Sequence, residues 1–114
     1  GIDAWKEAGK EVDTLDSVDA ETFKKKLENN IPVFDVRNDG EYANGRISCA
    51  AHAPLGFLNE YVSAFPDNGK CYLYCAGGYR SVIAASILKS RGIHNVVNVA
   101  GGFAAIKNAG IPVS

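Results

Sequence analysis

The chain has 114 residues, 46% of them hydrophobic and 22% charged, with a formal net charge of −1 and three cysteines. That is enough chain for one modest core, and the near-neutral balance gives no electrostatic case for nucleic acid or a membrane surface as partner. No apolar run approaches the roughly 18 residues of a membrane span, and an odd cysteine count without paired spacing argues against a disulfide framework and for a reducing, cytoplasmic setting.

Residues 1–12, from Gly1 to Val12, align with residues 102–113 and share Gly, Ala, Lys, Ala, Gly and Val at six of twelve positions. A repeat of this kind marks an opening segment distinct from the domain that occupies residues 13–114. An amphipathic N-terminal helix is the plainer alternative. Leu15 to Val18 predicts a short strand. Asp19 is a good helix N-cap, with Val18 and Phe23 placed to form a hydrophobic staple. The helix runs to about Asn29, with Phe23 and Leu27 facing inward and its three lysines solvated.

Ile31 to Val36 reads as a buried parallel strand, Asn38-Asp39-Gly40 as a polar turn, and Glu41 to Asn44 as a short helical turn stopped by Gly45. Asp35 and Arg37 allow two readings, an acid-base pair or a structural ion pair. With no histidine or second carboxylate in the local pattern, the structural pair is preferred. Ala50 to Ala53 forms a short strand, and Pro54 opens a helix from Leu55 to Phe65. His52 and His94 share no metal-ligand spacing with any cysteine, so no metal site is expected.

Cys71 to Ala85 is the chemical centre of the sequence. Tyr72-Leu73-Tyr74 fits a strand covered on both faces. A tight loop then opens on Cys75 and closes on Arg80. Gly77 and Gly78 let its amides turn inward. Val82, Ile83, Ala85, Ser86 and Leu88 recur at helical spacing, so the loop ends on a helix N-terminus. Inward amides, that helix end and the Arg80 guanidinium all favour an anion, an environment that lowers a thiol pKa from about 8.5 to between ~3.5 and 7.5. Most lone cysteines are small buried hydrophobes. Here the double glycine, the arginine and the helix make a reactive thiol the better reading. Cys71 lies on the same strand about 13 Å away and is read as an inert core thiol.

Beyond the loop, Arg91-Gly92 stops the helix, Asn95 to Val99 is the last strand, and Gly101-Gly102 turns into a closing helix. Alternating strands and helices predict an α/β domain: a mostly parallel sheet of about five strands with helices on both faces.

Four separated motifs carry a resemblance to a known family. Asp35-Val36-Arg37, Glu41-Tyr42, Gly45-Arg46-Ile47 and Ala50 to Leu55 form the first. Cys75-Ala76-Gly77-Gly78-Tyr79-Arg80-Ser81 is the second, Val99-Ala100-Gly101-Gly102-Phe103 the third, and Gly110-Ile111-Pro112-Val113 the last. In order and spacing they resemble the rhodanese-like sulfurtransferases. The resemblance implies a catalytic Cys75, an active-site loop of Ala76, Gly77, Gly78, Tyr79, Arg80 and Ser81, and support from Asp35 and Arg37 near the active end of the sheet. It implies a small-molecule sulfur donor and a thiol or cyanide acceptor, with no cofactor. Trp5 stands where the family's closing signature has tryptophan, so residues 1–12 resemble the tail of a preceding domain in a tandem protein. Arg46, Cys49 and Ile106 depart from the usual residues. A related phosphatase or arsenate reductase is the rival enzyme, but those place five residues between cysteine and arginine and this loop has four. A docking domain or persulfide carrier is the rival from another class.

Overall fold

The computed structural model describes residues 16–66, 69–77 and 79–114. The opening segment 1–12, Leu15 and Gly78 lie outside the described residues. Five short strands, β1 (Ser17–Val18), β2 (Val33–Asp35), β3 (Ala51–His52), β4 (Cys71–Tyr74) and β5 (Val96–Val99), form one sheet in the order β1-β5-β4-β2-β3. All four pairings are parallel. Four α-helices, α1 (Ala20–Lys26), α2 (Asp39–Asn44), α3 (Tyr79–Ser90) and α4 (Gly102–Asn108), and 3-10 segments at Leu27–Asn29 and Leu55–Ala64 complete the fold. Among the described residues no helix is long and apolar enough to cross a membrane.

The sheet separates two cores, and the strand period of two decides which residue joins which. On β4, Cys71 and Leu73, with Cys75 just beyond, face α3 and the 3-10 segment, where Leu58, Phe65, Ala84, Ala85 and Leu88 pack. Tyr72 and Tyr74 face the other side, with Phe23 of α1 and Ile106 of α4. The expected helices on both faces are present. Ile106 is fully buried.

Local chemistry explains the helix starts. The Asp19 carboxylate accepts the Thr22 amide at 2.7 Å, as an N-cap should. Asn38-Asp39-Gly40 is not a separate turn. Asn38 caps α2 in a reciprocal capping box with Glu41, so the helix begins two residues earlier than expected. The segment after Pro54 is also corrected: it is 3-10, broken at Phe57 (φ −126°, ψ 21°). Gly92, at φ +86°, ends α3, and the Ile93 amide reaches back to the Leu88 carbonyl.

The buried stripe of α3 is Ser81, Ala84, Ala85 and Leu88, which shares Ala85 and Leu88 with the residues that announced the helix and adds Ser81 and Ala84. Ile83 is exposed, and Ser81 and Ala84 are fully buried. Small side chains let the helix lie close to β4, and the serine owes its burial to polar contacts described below.

Candidate active site

The carboxyl ends of β2 and β4 lie side by side, with Asp35 opposite Tyr74 in register. Cys75 follows immediately, beside the first turn of α3. This is the end of a parallel sheet at which open α/β folds bind ligands. Cys75 is 1% exposed, so its sulfur lies beneath the surface rather than at an open mouth.

The loop is held from behind. The Phe103 amide donates to the Cys75 carbonyl at 2.6 Å and the Ala104 amide to the Ala76 carbonyl at 3.3 Å. With those carbonyls directed at the start of α4, the peptide groups between Cys75 and Gly77 turn their N–H edges the other way. Gly101 (φ +80°) and Gly102 (φ +60°) make this approach possible. A Cβ on Gly102 would come within 2.8 Å of the Ala76 carbonyl and closer still to the Cys75 oxygen. The sequence showed the two glycines as a turn and gave no sign of what they lean on.

On the sulfur side, Cys75 Sγ lies 3.6 Å from Ser81 Oγ, to which it donates. The Ser81 hydroxyl donates in turn to Asn98 Oδ1 in a short hydrogen bond, and Asn98 Nδ2 reaches Ser17 Oγ at 3.4 Å. Asn98 interrupts an otherwise apolar run in a strand buried on both faces. That interruption was the one signal by which it could have been found.

Arg80 has a partner that the sequence did not reveal. It lies in the first turn of α3, and its guanidinium is engaged by Glu41, with Nη1–Oε1 at 2.6 Å and Nη2–Oε2 at 2.8 Å. The Glu41 hydrogen bond, ahead of the cost of burial, holds Arg80 above the ordinary guanidinium range, and a smaller contribution comes from Cys75. Reciprocally, Arg80 holds the Glu41 carboxyl below its usual range. Glu41 is itself fixed by the α2 capping box. The two residues are 39 apart in sequence, a separation no local pattern reveals.

Tyr79 is 79% exposed. A cleft of about 270 Å³ opens beside the loop, lined by Val36, Asn38, Asp39, Pro54, Leu55, Gly56, Phe57 and Arg80. Phe57 therefore lies on the rim of this cleft, and Tyr79 does not line it.

Asp35 and Arg37 form a buried ion pair on the opposite face of the sheet, with Arg37 Nη2 2.7 Å from Asp35 Oδ2. Arg37 also donates to the Gly45 carbonyl and stacks its guanidinium 4.1 Å from the Phe103 ring centroid. Burial works against its charge, and the Asp35 carboxylate outweighs it, raising Arg37 above the ordinary range. The structural-pair reading agrees with this geometry. The pair touches the site through Phe103, whose amide holds Cys75. Asp35→Ala leaves a buried guanidinium uncompensated, and we expect it to lower stability by about 3–5 kcal/mol in denaturant unfolding. A loss below about 1 kcal/mol would mean that water or Tyr74 replaces the carboxylate.

The other cysteines separate cleanly. Burial pushes the Cys71 thiol up to about 11, whereas Cys49 is exposed. At pH 8 in the native state, iodoacetamide is expected to modify Cys49 fully while Cys71 stays unlabelled until the protein is unfolded. Peptide mapping that finds Cys71 labelled at the rate of Cys49 would overturn this. His52 stacks on Tyr42 at 4.1 Å and its Nε2 meets the Arg37 carbonyl at 2.8 Å, so it is occupied structurally.

A family model described as Rhodanese-like domain matches residues 19–109. The chain is 31% identical over 91 residues to a putative sulfur carrier protein, YrkF, of Bacillus subtilis, covering 78% of this chain and 49% of that protein, about half its length. It is 28% identical over 101 residues to a protein named sulfurtransferase from Allochromatium vinosum, covering 87% and 94% of the two. Among solved structures, the rhodanese-like domain of the Anabaena protein Alr3790 is similar, with a TM-score of 0.79 at 30% identity, covering 86% of this chain and 77% of that one.

Proposed function

Because the chain belongs to the rhodanese-like domain family, we propose that it is a sulfurtransferase working through a persulfide on Cys75. The observation that carries this reading is a cysteine at the carboxyl end of the central strand, its carbonyl tied back to α4 and its sulfur beside the first turn of α3. A thiolate there attacks the outer sulfur of a sulfane donor, thiosulfate or a low-molecular-weight persulfide. The donor's S–S bond breaks, its electron pair leaves with sulfite or a thiolate, and Cys75 keeps the transferred sulfur. A thiol or cyanide acceptor then removes it.

Loop amides and the start of α3 stabilise the persulfide anion. Ser81 is placed to turn its hydroxyl between Asn98 and the sulfur as the charge there changes. Glu41 fixes Arg80, and Arg80 holds the loop's end. The chemistry needs no cofactor, and three cysteines outside any disulfide suit a reducing, cytoplasmic setting.

Two substrates that share one sulfur site in turn give ping-pong kinetics. Initial rates measured over a grid of donor and cyanide concentrations are expected to yield parallel double-reciprocal lines. Intersecting lines, or no gain of about 32 Da on Cys75 after donor alone, would count against the persulfide route. The likeness to a sulfur carrier supports a second reading, in which another protein takes the sulfur. In that case Cys75 would load but would not discharge to cyanide or small thiols at useful rates.

A further inference from the structure

Resting on that sulfur-transfer reading, we infer that the donor that loads Cys75 is an organic persulfide with a neutral or ammonium-bearing body, and not the thiosulfate dianion. In the sequence Arg80 reads as a cation that favours an anion at the loop. In the structure its charge is answered by both oxygens of Glu41 at 2.6 and 2.8 Å. The other nearby arginine, Arg37, is paired with Asp35 and buried on the opposite face.

The cleft beside the loop adds a further carboxylate, Asp39, whose side chain is almost fully exposed. The group facing Asp39 is His52, with Nδ1 3.7 Å away. One guanidinium thus stands against two carboxylates, and Val36, Pro54, Leu55 and Phe57 supply apolar wall. Such a cleft fits a small organic body and opposes a dianion.

The two donors differ most in the charge they bring to the reaction. With a persulfide the step is Cys75–S⁻ + RSSH → Cys75–SSH + RS⁻. A new S–S bond forms, the donor's S–S bond breaks, and a single negative charge passes through the transition state. With thiosulfate it is Cys75–S⁻ + SSO₃²⁻ → Cys75–SS⁻ + SO₃²⁻, which gathers three negative charges at the same place. Beyond what the loop amides and the start of α3 supply, stabilising them calls for an uncompensated cation, and the cleft's guanidinium is already paired with Glu41.

Ionic strength tests the sign of this field. Loading of Cys75 would be followed by quenched-flow intact mass at pH 8. Sodium thiosulfate and cysteamine persulfide would be compared, each referred to its reaction with a small free thiol. The thiosulfate rate is expected to rise about two- to threefold as salt increases from roughly 20 to 200 mM, while the persulfide rate stays nearly flat. Asp39→Lys should accelerate thiosulfate loading by about fivefold or more and slow cysteamine persulfide by about twofold. Glu41→Gln should act in the same direction on thiosulfate. If Glu41→Gln instead loosens the loop, the Asp39 variant still decides. Thiosulfate loading that falls with salt and gains nothing from Asp39→Lys overturns the inference and leaves the sulfur-transfer reading intact. Failure of both donors to add sulfur to Cys75 removes that reading, and this inference with it.

Discussion

Cys75→Ser is expected to abolish sulfur transfer, with turnover on any sulfane donor falling by at least about a thousandfold. A serine hydroxyl is a far poorer nucleophile at neutral pH, and no S–S bond can form on it. The substitution is nearly isosteric, and the new hydroxyl would lie beside Ser81 Oγ, where Sγ is 3.6 Å away in the native chain. Folding should therefore survive with a stability change within about 1 kcal/mol. Intact mass after donor treatment should show no added sulfur. Residual transfer with the sulfur mapped to Cys49 or Cys71 would sink the assignment of Cys75 outright.

Gly102→Ala is expected to be the most damaging change outside the cysteine itself. Its Cβ would be driven within 2.8 Å of the Ala76 carbonyl carbon and oxygen. Neither neighbour is a flexible side chain that can swing away. A backbone angle of φ +60° adds the left-handed strain that glycine avoids. Either α4 retreats or the loop does, and both routes break the Phe103–Cys75 hydrogen bond. We expect a stability loss of about 2–4 kcal/mol and turnover reduced by about a hundredfold or more. Gly56, by contrast, has nothing within 4 Å of its Cβ position, so Gly56→Ala serves as the control. A Gly102→Ala variant with wild-type melting and turnover would show that α4 does not hold the loop.

Much of this architecture was legible because it rests on local signals. The Asp19 cap, the apolar strand before Cys75 and the glycine after Arg91 each announce themselves within a few residues, and the alternation of strands and helices implied the parallel sheet. What escaped notice depends on distance in the chain. Glu41 and Arg80 meet only because α2 and α3 rise from neighbouring strands, and no spacing rule links them. Ala85 and Leu88 of the buried face of α3 were legible, whereas Ser81 and Ala84 were not, because they carry little hydropathy signal. The 3-10 character of Leu55–Ala64 was hidden for a similar reason. Pro54 and a mixed apolar pattern mark a helical start without fixing its pitch.

The hold of α4 on the loop also sets the order in which the molecule can assemble. The amide that fixes the Cys75 carbonyl comes after the whole of α3 and β5, and β5 sits between β4 and β1, the strand with which the described chain begins. Contacts of such long sequence separation form late, since the entropy of closing the intervening chain is lost before they contribute. A nascent chain on the ribosome that has emerged as far as α3 already carries the cysteine but not the cradle around it. The thiol acquires its native surroundings only when the residues from Gly101 to Ala104 have been made. On the proposed reading, reactivity at Cys75 is then a property of the completed domain, reached in the last stage of folding.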